Sequence, residues 1–409
     1  MRAIFLLLMS AVLVNNQHLG VQLGAPILGA ALGGNLDHIG GHIRRPHGDH
    51  PADSVIGRQI EAHLPRFSLQ ALEEPRYIQK QIKQLVPVSL EDLLEEEWKA
   101  FKMTYNKAYP SADVERFRRE VFIENRAKIA RFNQEYSQGR RNYVQQLNPY
   151  GDLLHHEFTN ILNGFNRSGL ARPRIPTSTT YIPSANVNLP ASVDWRQVGA
   201  VGPVKSQGMC ACCWAFAAAG ALEGHWFRKT GQLVDVSEQN LVDCTKDLGN
   251  DGCTGGLMNP AFEYVRQNDG VDSEESYPYE GTDNQQCRFK PEDVVVKCTG
   301  YVDIAEGDEQ GLEIAIATLG PVTAAIDASK DGFQFYSDGV YYDPDCGSRQ
   351  EDMNHAVLIV GYGQEPNGQK YWLVKNSYGP QWGVGGYVKM AKDANNHCGI
   401  ANQASYPLV

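Results

Sequence analysis

Three cysteines within four positions, in the stretch QGMCACCWAF at 207–216, constrain this chain more than any other feature. Such a cluster is a metal site, a disulfide anchor, or a nucleophile with sulfur neighbours. The chain has nine cysteines, so at least one thiol is left unpaired whatever disulfides form. The redox compartment therefore matters. MRAIFLLLMSAVLV places one Arg before an apolar run from Ile4 to Val14, too short to span a bilayer but long enough for the core of a secretory signal. Residues 1–17 are read as that signal, and export makes disulfides the expected fate of most cysteines. No later run is apolar enough to span a membrane.

Residues 18–90 form an extension whose first part is Gly-rich, with five histidines between His18 and His50, and shows no helical or strand periodicity. Their spacing matches no compact metal-ligand pattern, so no metal is expected. Helical periodicity begins with Leu93, Leu94, Trp98 and Phe101, and continues in DVERFRREVFIENRAKIARFNQEY, where Phe122, Ile129 and Phe132 share a face. These helices occupy 91–160. A Pro-, Ser- and Thr-rich linker covers 161–188, and NRS at Asn166 is a glycosylation sequon within it.

Charge divides the chain at the same place. Residues 1–188 carry 22 Lys and Arg against 18 Asp and Glu; residues 189–409 carry 15 against 30, balances of +4 and −15. The acidic back part argues against a nucleic-acid partner, because phosphates reward clustered cations. It favours attraction between the two parts, weakened when carboxylates protonate.

In the back part, CWAFAAAGALEGHWFRKTG reads as a helix starting at about Cys213, with basic residues in its last turn and Gly231 as its stop. Two shorter helices follow, at NPAFEYVRQND and EQGLEIAIATLG, and then strands at PVTAAID, HAVLIVGY, KYWLVKN and GGYVKM. The order is α+β, helices first and sheet later. A thiol at a helix start is easily ionised, because unpaired N–H groups and the helix dipole favour the charged sulfur. A nucleophilic Cys213 also needs an imidazole and a group that orients it; His355 and Asn376 are candidates, though a lone strand His is more often a core residue.

The segments LPASVDWRQVGAVGPVKSQGMCACCWAF, GCTGGLM, NHAVLIVGYG and NSYGPQWG, in this order, resemble the mature enzyme of papain-family cysteine proteases, most closely the cathepsin L group. The match runs from Leu189 to Val409. Glu115, Arg119, Phe122, Asn125, Ile129 and Asn133 reproduce the interspersed helix motif of that group's inhibitory propeptide, and NPYGD resembles its N-x-F-x-D element with Tyr150 in place of Phe. The resemblance implies a two-domain papain-like enzyme at 189–409, with a helical domain and a β-barrel-like domain, behind an N-terminal helical propeptide.

It also implies roles. Cys213 is the nucleophile, His355 its acid/base partner, Asn376 the orienting group and Gln207 the side-chain donor of the oxyanion hole. Trp382 covers the leaving-group side. Gly256 hydrogen-bonds extended substrate, while Leu257, Met258, Ala325 and Met353 wall an apolar pocket for the second residue before the cut. Gln403 lies at that pocket's base where relatives have a small residue, so it either makes the floor polar or swings to solvent. Disulfides are implied at Cys210–Cys253, Cys244–Cys287 and Cys346–Cys398. Cys298 is left as a buried thiol.

Three substitutions depart from the family pattern: Ala211 for Gly, Cys212 for Ser, and Tyr378 for Trp. Cys212 is expected to point away from the nucleophile, the alternative being an oxidation-sensitive neighbour. Tyr378, smaller and polar at its tip, is expected to preserve activity with a shifted pH profile.

The implied activity is peptide-bond hydrolysis without a cofactor, by a latent proenzyme inhibited by its own propeptide and cut between Pro176 and Leu189. Protein and peptide substrates, cystatin-type inhibitors, a monomeric state, and a lysosomal or extracellular destination follow from the same resemblance. An inactive peptide-binding homologue and a metal or redox protein built on CACC are the rival readings.

Overall fold

A computed structural model describes residues 89–165, 178–184 and 187–409. The signal segment, nearly all of the Gly/His-rich extension and Asn166 lie outside the described residues. The described chain divides before Tyr109 into two compact units.

The first unit contains helix α1 (Leu90–Thr104), which starts in a capping box: the Ser89 hydroxyl accepts from Asp92 N–H, and the Asp92 carboxylate accepts from Ser89 N–H. Leu94, Trp98 and Phe101 are buried as the periodicity requires, but Leu93 is exposed.

The second unit holds everything else. Its front part consists of α2 (Ala112–Ser137), strand β1 (Tyr143–Gln145) and α3 (His155–Leu162). A short β2 (Ser178–Thr180) follows inside the sequence read as linker, pairing in parallel with a later strand. Next come β3 (Val193–Asp194), α4 (Cys213–Thr230), α5 (Glu238–Cys244), α6 (Met258–Gln267) and β4 (Val271–Asp272). The remainder is mostly sheet: β5 (Val294–Val296), β6 (Gly300–Asp303), α7 (Glu309–Thr318), β7 (Val322–Ile326), α8 (Asp331–Gln334), β8 (Tyr336–Tyr341), β9 (His355–Gln364), β10 (Lys370–Lys375), β11 (Tyr387–Ala391) and β12 (Ala404–Leu408).

The main sheet runs β1-β8-β11-β10-β9-β7-β12-β6-β2, with β3 also paired to β9, and β4-β5 form a separate pair. Among the described residues the strand path is open, so the sheet expected as barrel-like is not a closed barrel. Strand β9 is buried from His355 to Gly363, flanked by β7 and β10, which explains its nearly continuous apolar run. Helix α4 begins at Cys213 and ends at Gly231, whose φ of 75° is the left-handed geometry of a helix C-terminal cap.

Two hydrophobic cores result. One surrounds α4 and includes Trp214, Leu241, Phe262 and Val265. The other surrounds the sheet and is rich in rings, among them Tyr336, Tyr341, Trp372 and Trp382. The cleft residues lie where these cores meet. The three disulfides Cys210–Cys253, Cys244–Cys287 and Cys346–Cys398 are present, the first tying the loop ahead of α4 to the turn at Gly252–Thr254.

Candidate active site

Cys213 is the first residue of α4, where backbone N–H groups lack a partner one turn earlier in the helix. Its sulfur accepts the Ala356 N–H at 3.3 Å, which brings β9 directly beside it. His355, the neighbour of Ala356, opens β9; Asn376 follows β10. The His355 Nε2 to Asn376 Oδ1 distance is 2.8 Å, and the same Oδ1 accepts Ser377 N–H. An amide oxygen can only accept, so Nε2 carries the proton and Nδ1 keeps its lone pair. Nδ1 is buried without a hydrogen-bond partner, the state suited to taking a thiol proton.

Gln207 is completely buried and held at both ends. Its Oε1 accepts the Ser377 hydroxyl at 2.6 Å, while Nε2 donates to Cys210 O at 2.8 Å and to Leu162 O at 3.0 Å. Leu162 belongs to the front part of the chain, so a carbonyl from that part occupies the Gln207 donor. The following residues continue through the cleft. Gly256 N–H donates to Gly164 O at 2.9 Å, and Phe165 N–H to Asn354 O at 3.0 Å.

Phe165 belongs to the same core cluster as Leu257, Met258, Ala325 and Met353. Gln403 is partly exposed, and its carbonyl accepts Ala325 N–H. Only glycine fits at two points of this run. A Cβ on Gly164 would lie 1.7 Å from Ala211 O, and one on Gly256 would lie 2.7 Å from both Trp214 and Asn250.

Covering the cleft changes its electrostatics. Burial pushes the Cys213 thiol up to about 11 and His355 down to about 4, so both groups are held neutral. The covered site lacks the thiolate–imidazolium pair that a helix N-terminus would otherwise favour.

The departures from the family pattern have definite surroundings. Tyr378 lies against His355, ring centroids 4.7 Å apart, and also meets Trp382 and the front-part rings of Tyr150 and Phe158. Trp382 is buried, with its indole N–H directed at the Phe333 and Gln334 carbonyls. Cys212 is fully buried beside Tyr279, whose hydroxyl donates to Gln207 O; the thiol donates in turn to the Tyr279 oxygen at 3.0 Å. Burial raises its pKa, so Cys212 is a protonated link in a hydrogen-bond chain. Cys298 is buried, with its sulfur at Phe262 O.

Among the described residues the one metal-ligand type of grouping is Cys346, His397 and Cys398, and its two sulfurs are joined as a disulfide. No described helix is long and apolar enough to cross a membrane.

Sequence reasoning missed Ser377, the Ala356 N–H and the segment Leu162-Asn163-Gly164-Phe165. That the stretch after the propeptide helices would run through the cleft was expected from the resemblance; which residues do so was not, although an Asn-Gly pair between two large apolar residues marks the place.

Residues 189–408 match the papain family cysteine protease domain, and residues 98–158 match the cathepsin propeptide inhibitor domain. A cathepsin L-like peptidase of Aedes aegypti is 54% identical over 326 residues, covering 79% of this chain and 95% of that protein. Human cathepsin L2 is 48% identical over 319 residues, covering 77% and 93%. The solved digestive procathepsin L 3 of the Tenebrio molitor larval midgut is 42% identical, covering 78% of this chain and 99% of its own, with a TM-score of 0.72. This chain belongs to the papain family of cysteine proteases, as a cathepsin L-like endopeptidase made as a zymogen.

Proposed function

We propose that Cys213, His355, Asn376 and Gln207 carry the hydrolysis. His355 Nδ1 takes the thiol proton, and the sulfur attacks the peptide carbonyl. The Gln207 amide and the Cys213 N–H hold the developing oxyanion. His355 then protonates the leaving amine and afterwards activates the water that opens the thioester. Asn376 fixes the imidazole's rotation and tautomer, and Trp382 walls the leaving-group side.

One observation supports this most directly: the chain's own peptide crosses these residues, opposite in direction to a substrate, with Leu162 O on Gln207, Gly164 O on Gly256 and Phe165 in the same core cluster as the pocket residues. A large apolar residue two positions before the cut is therefore the favoured substrate feature. The same run accounts for latency, since it fills the cleft and keeps the dyad neutral.

Residues 91–160 act as the inhibitory part, 161–188 contain the maturation cut, and 189–409 are the peptidase. The three disulfides favour an exported enzyme, destined for the lysosome or the outside. The dyad and cleft come from one chain, which favours a monomer, and cystatin-type inhibitors would compete for the same cleft.

The test is to activate the zymogen at acid pH and titrate it with an irreversible thiol-directed epoxide while following peptide hydrolysis. One label per molecule on Cys213, with activity lost in proportion, is expected. Hydrolysis that persists at full labelling, or labelling elsewhere, overturns the assignment.

A further inference from the structure

The two oxyanion donors assigned above, Gln207 Nε2 and the Cys213 N–H, belong to the two ends of the loop 207–213. The sheet side fixes the Gln207 end through Ser377, whose carbonyl accepts Gln207 N–H at 2.9 Å and whose hydroxyl donates to Gln207 Oε1 at 2.6 Å. The helix side fixes it through Tyr279. Its hydroxyl donates to Gln207 O at 2.7 Å, and the same phenol oxygen meets the Cys212 sulfur at 3.0 Å. Cys212 directly precedes Cys213, so one phenol oxygen ties the two ends of the loop together. The phenol is itself held. Tyr279 N–H donates to Glu274 Oε1 at 2.8 Å, and the ring lies edge-on to Phe216 in the first turn of α4, 5.0 Å between centroids.

The direction of each bond follows from the groups. A carbonyl only accepts, so Tyr279 gives its one hydrogen to Gln207 O, and the thiol is the donor to Tyr279. Cys212 is fully buried and its pKa is raised, which keeps the proton on sulfur. Serine supplies one donor at the same place; alanine supplies none. An oxyanion hole tolerates little displacement, because each donor must stand about 2.7–3.1 Å from the oxygen that becomes charged. A bridge that fixes the distance between the donors therefore acts on the transition state, and not on substrate binding or on the reactivity of the sulfur.

We propose that Tyr279, backed by the Cys212 thiol, is a positioning residue for the oxyanion hole and sets the separation of Gln207 Nε2 and the Cys213 N–H. It acts through Gln207 and Cys212, not on the substrate. This rests on the catalytic assignment above.

The experiment compares the activated enzyme with Tyr279→Phe, Cys212→Ala and Cys212→Ser by two readouts. One is kcat and kcat/KM for a peptide, whose hydrolysis develops the oxyanion. The other is the rate at which iodoacetamide alkylates Cys213: sulfur bonds to carbon, iodide leaves, and no oxyanion forms. Tyr279→Phe keeps the ring and removes the hydroxyl. Its kcat and kcat/KM are expected to fall together about tenfold, less than the loss on deleting a donor outright, with alkylation within about twofold of the original. Cys212→Ala is expected to lower kcat about threefold, the range of one net hydrogen bond, and Cys212→Ser to restore it. An unchanged kcat in Tyr279→Phe overturns the proposal. So does a parallel fall in alkylation, which marks general damage to the site, and so does a Cys212→Ser enzyme no better than Cys212→Ala. If Tyr279→Phe does not fold, the two Cys212 variants, which keep the tyrosine, decide by the same criteria. If the original enzyme cleaves no peptide, or cleaves it equally well after Cys213 is alkylated, the catalytic assignment fails instead, so the two failures are distinguishable.

Discussion

The two halves of the cleft are built differently. The half around α4 is lined by small residues, Ala215, Ala217, Ala218, Ala219 and Ala221, and is complete within the enzyme apart from Phe165. The half around the sheet is a ring cluster, and five of its core members come from the front of the chain: Tyr143, Tyr150, Leu153, Phe158 and Leu162. The nucleophile therefore has a finished support, whereas the imidazole's surroundings are completed by the propeptide. Burial acts on both members of the dyad, raising the Cys213 pKa and lowering that of His355. Among the described residues the front part meets the enzyme through rings, backbone and side-chain hydrogen bonds, and a His155–Asp331 pair.

The largest effect expected is on the finished half. Cys213→Ala should reduce peptide hydrolysis by more than about 10^4-fold and leave the zymogen uncut after acid treatment, read by rate and by gel. The contrast between halves is sharper in two propeptide variants. Phe158→Ala leaves a cavity in the ring cluster and should weaken docking by about 3–5 kcal/mol. Phe165→Ala empties a cleft that water refills, so its cost is nearer the burial value of about 1.5–3 kcal/mol. Residual activity of purified zymogen at neutral pH measures both, and equal leakage would break the comparison.

Acid should act through the imidazole. In the covered cleft burial holds His355 down at about 4, so exposing the imidazole to water restores its affinity for a proton toward that of an ordinary histidine, 6.5. Latency is then at full strength above about pH 6.5 and is lost as pH falls toward 4, by at most about 1.4 kcal/mol per pH unit from this group. Activation rate against pH checks this, and a profile governed wholly below pH 4 would point to carboxylates instead. Gly164→Ala drives a methyl into Ala211 O and should weaken docking by about 1–3 kcal/mol, measured by the same leak assay. The smallest effect belongs to Cys212→Ser. The hydroxyl can take over the bond to Tyr279, so peroxide should inactivate the variant as readily as the original; marked protection would restore a redox role for Cys212.

Local patterns were legible where the chemistry is local. The helix from Cys213 to its glycine stop, the apolar strand at His355 and the divide between the basic front and the acidic back follow from propensity and composition. Within QGMCACCWAF, the resemblance to the family pointed to the Cys210 disulfide, which is present, and to the roles proposed for Gln207 and Cys213. Tyr378 was recognisable as a departure, but its hydroxyl's partner was not, because Asn163 lies 215 residues away in the chain.

The sequence by itself determined the α+β class and, through short motifs shared with the family, nominated Cys213, His355, Asn376 and Gln207 for the chemistry. Tertiary structure alone decided how the dyad is silenced and what surrounds it. Burial of His355, the clash that restricts position 164 to glycine, and the hydrogen bond from Tyr378 to Asn163 all depend on groups brought together from distant parts of the chain. Desolvation and hydrogen-bond complementarity are properties of that assembled neighbourhood, and no single stretch contains them.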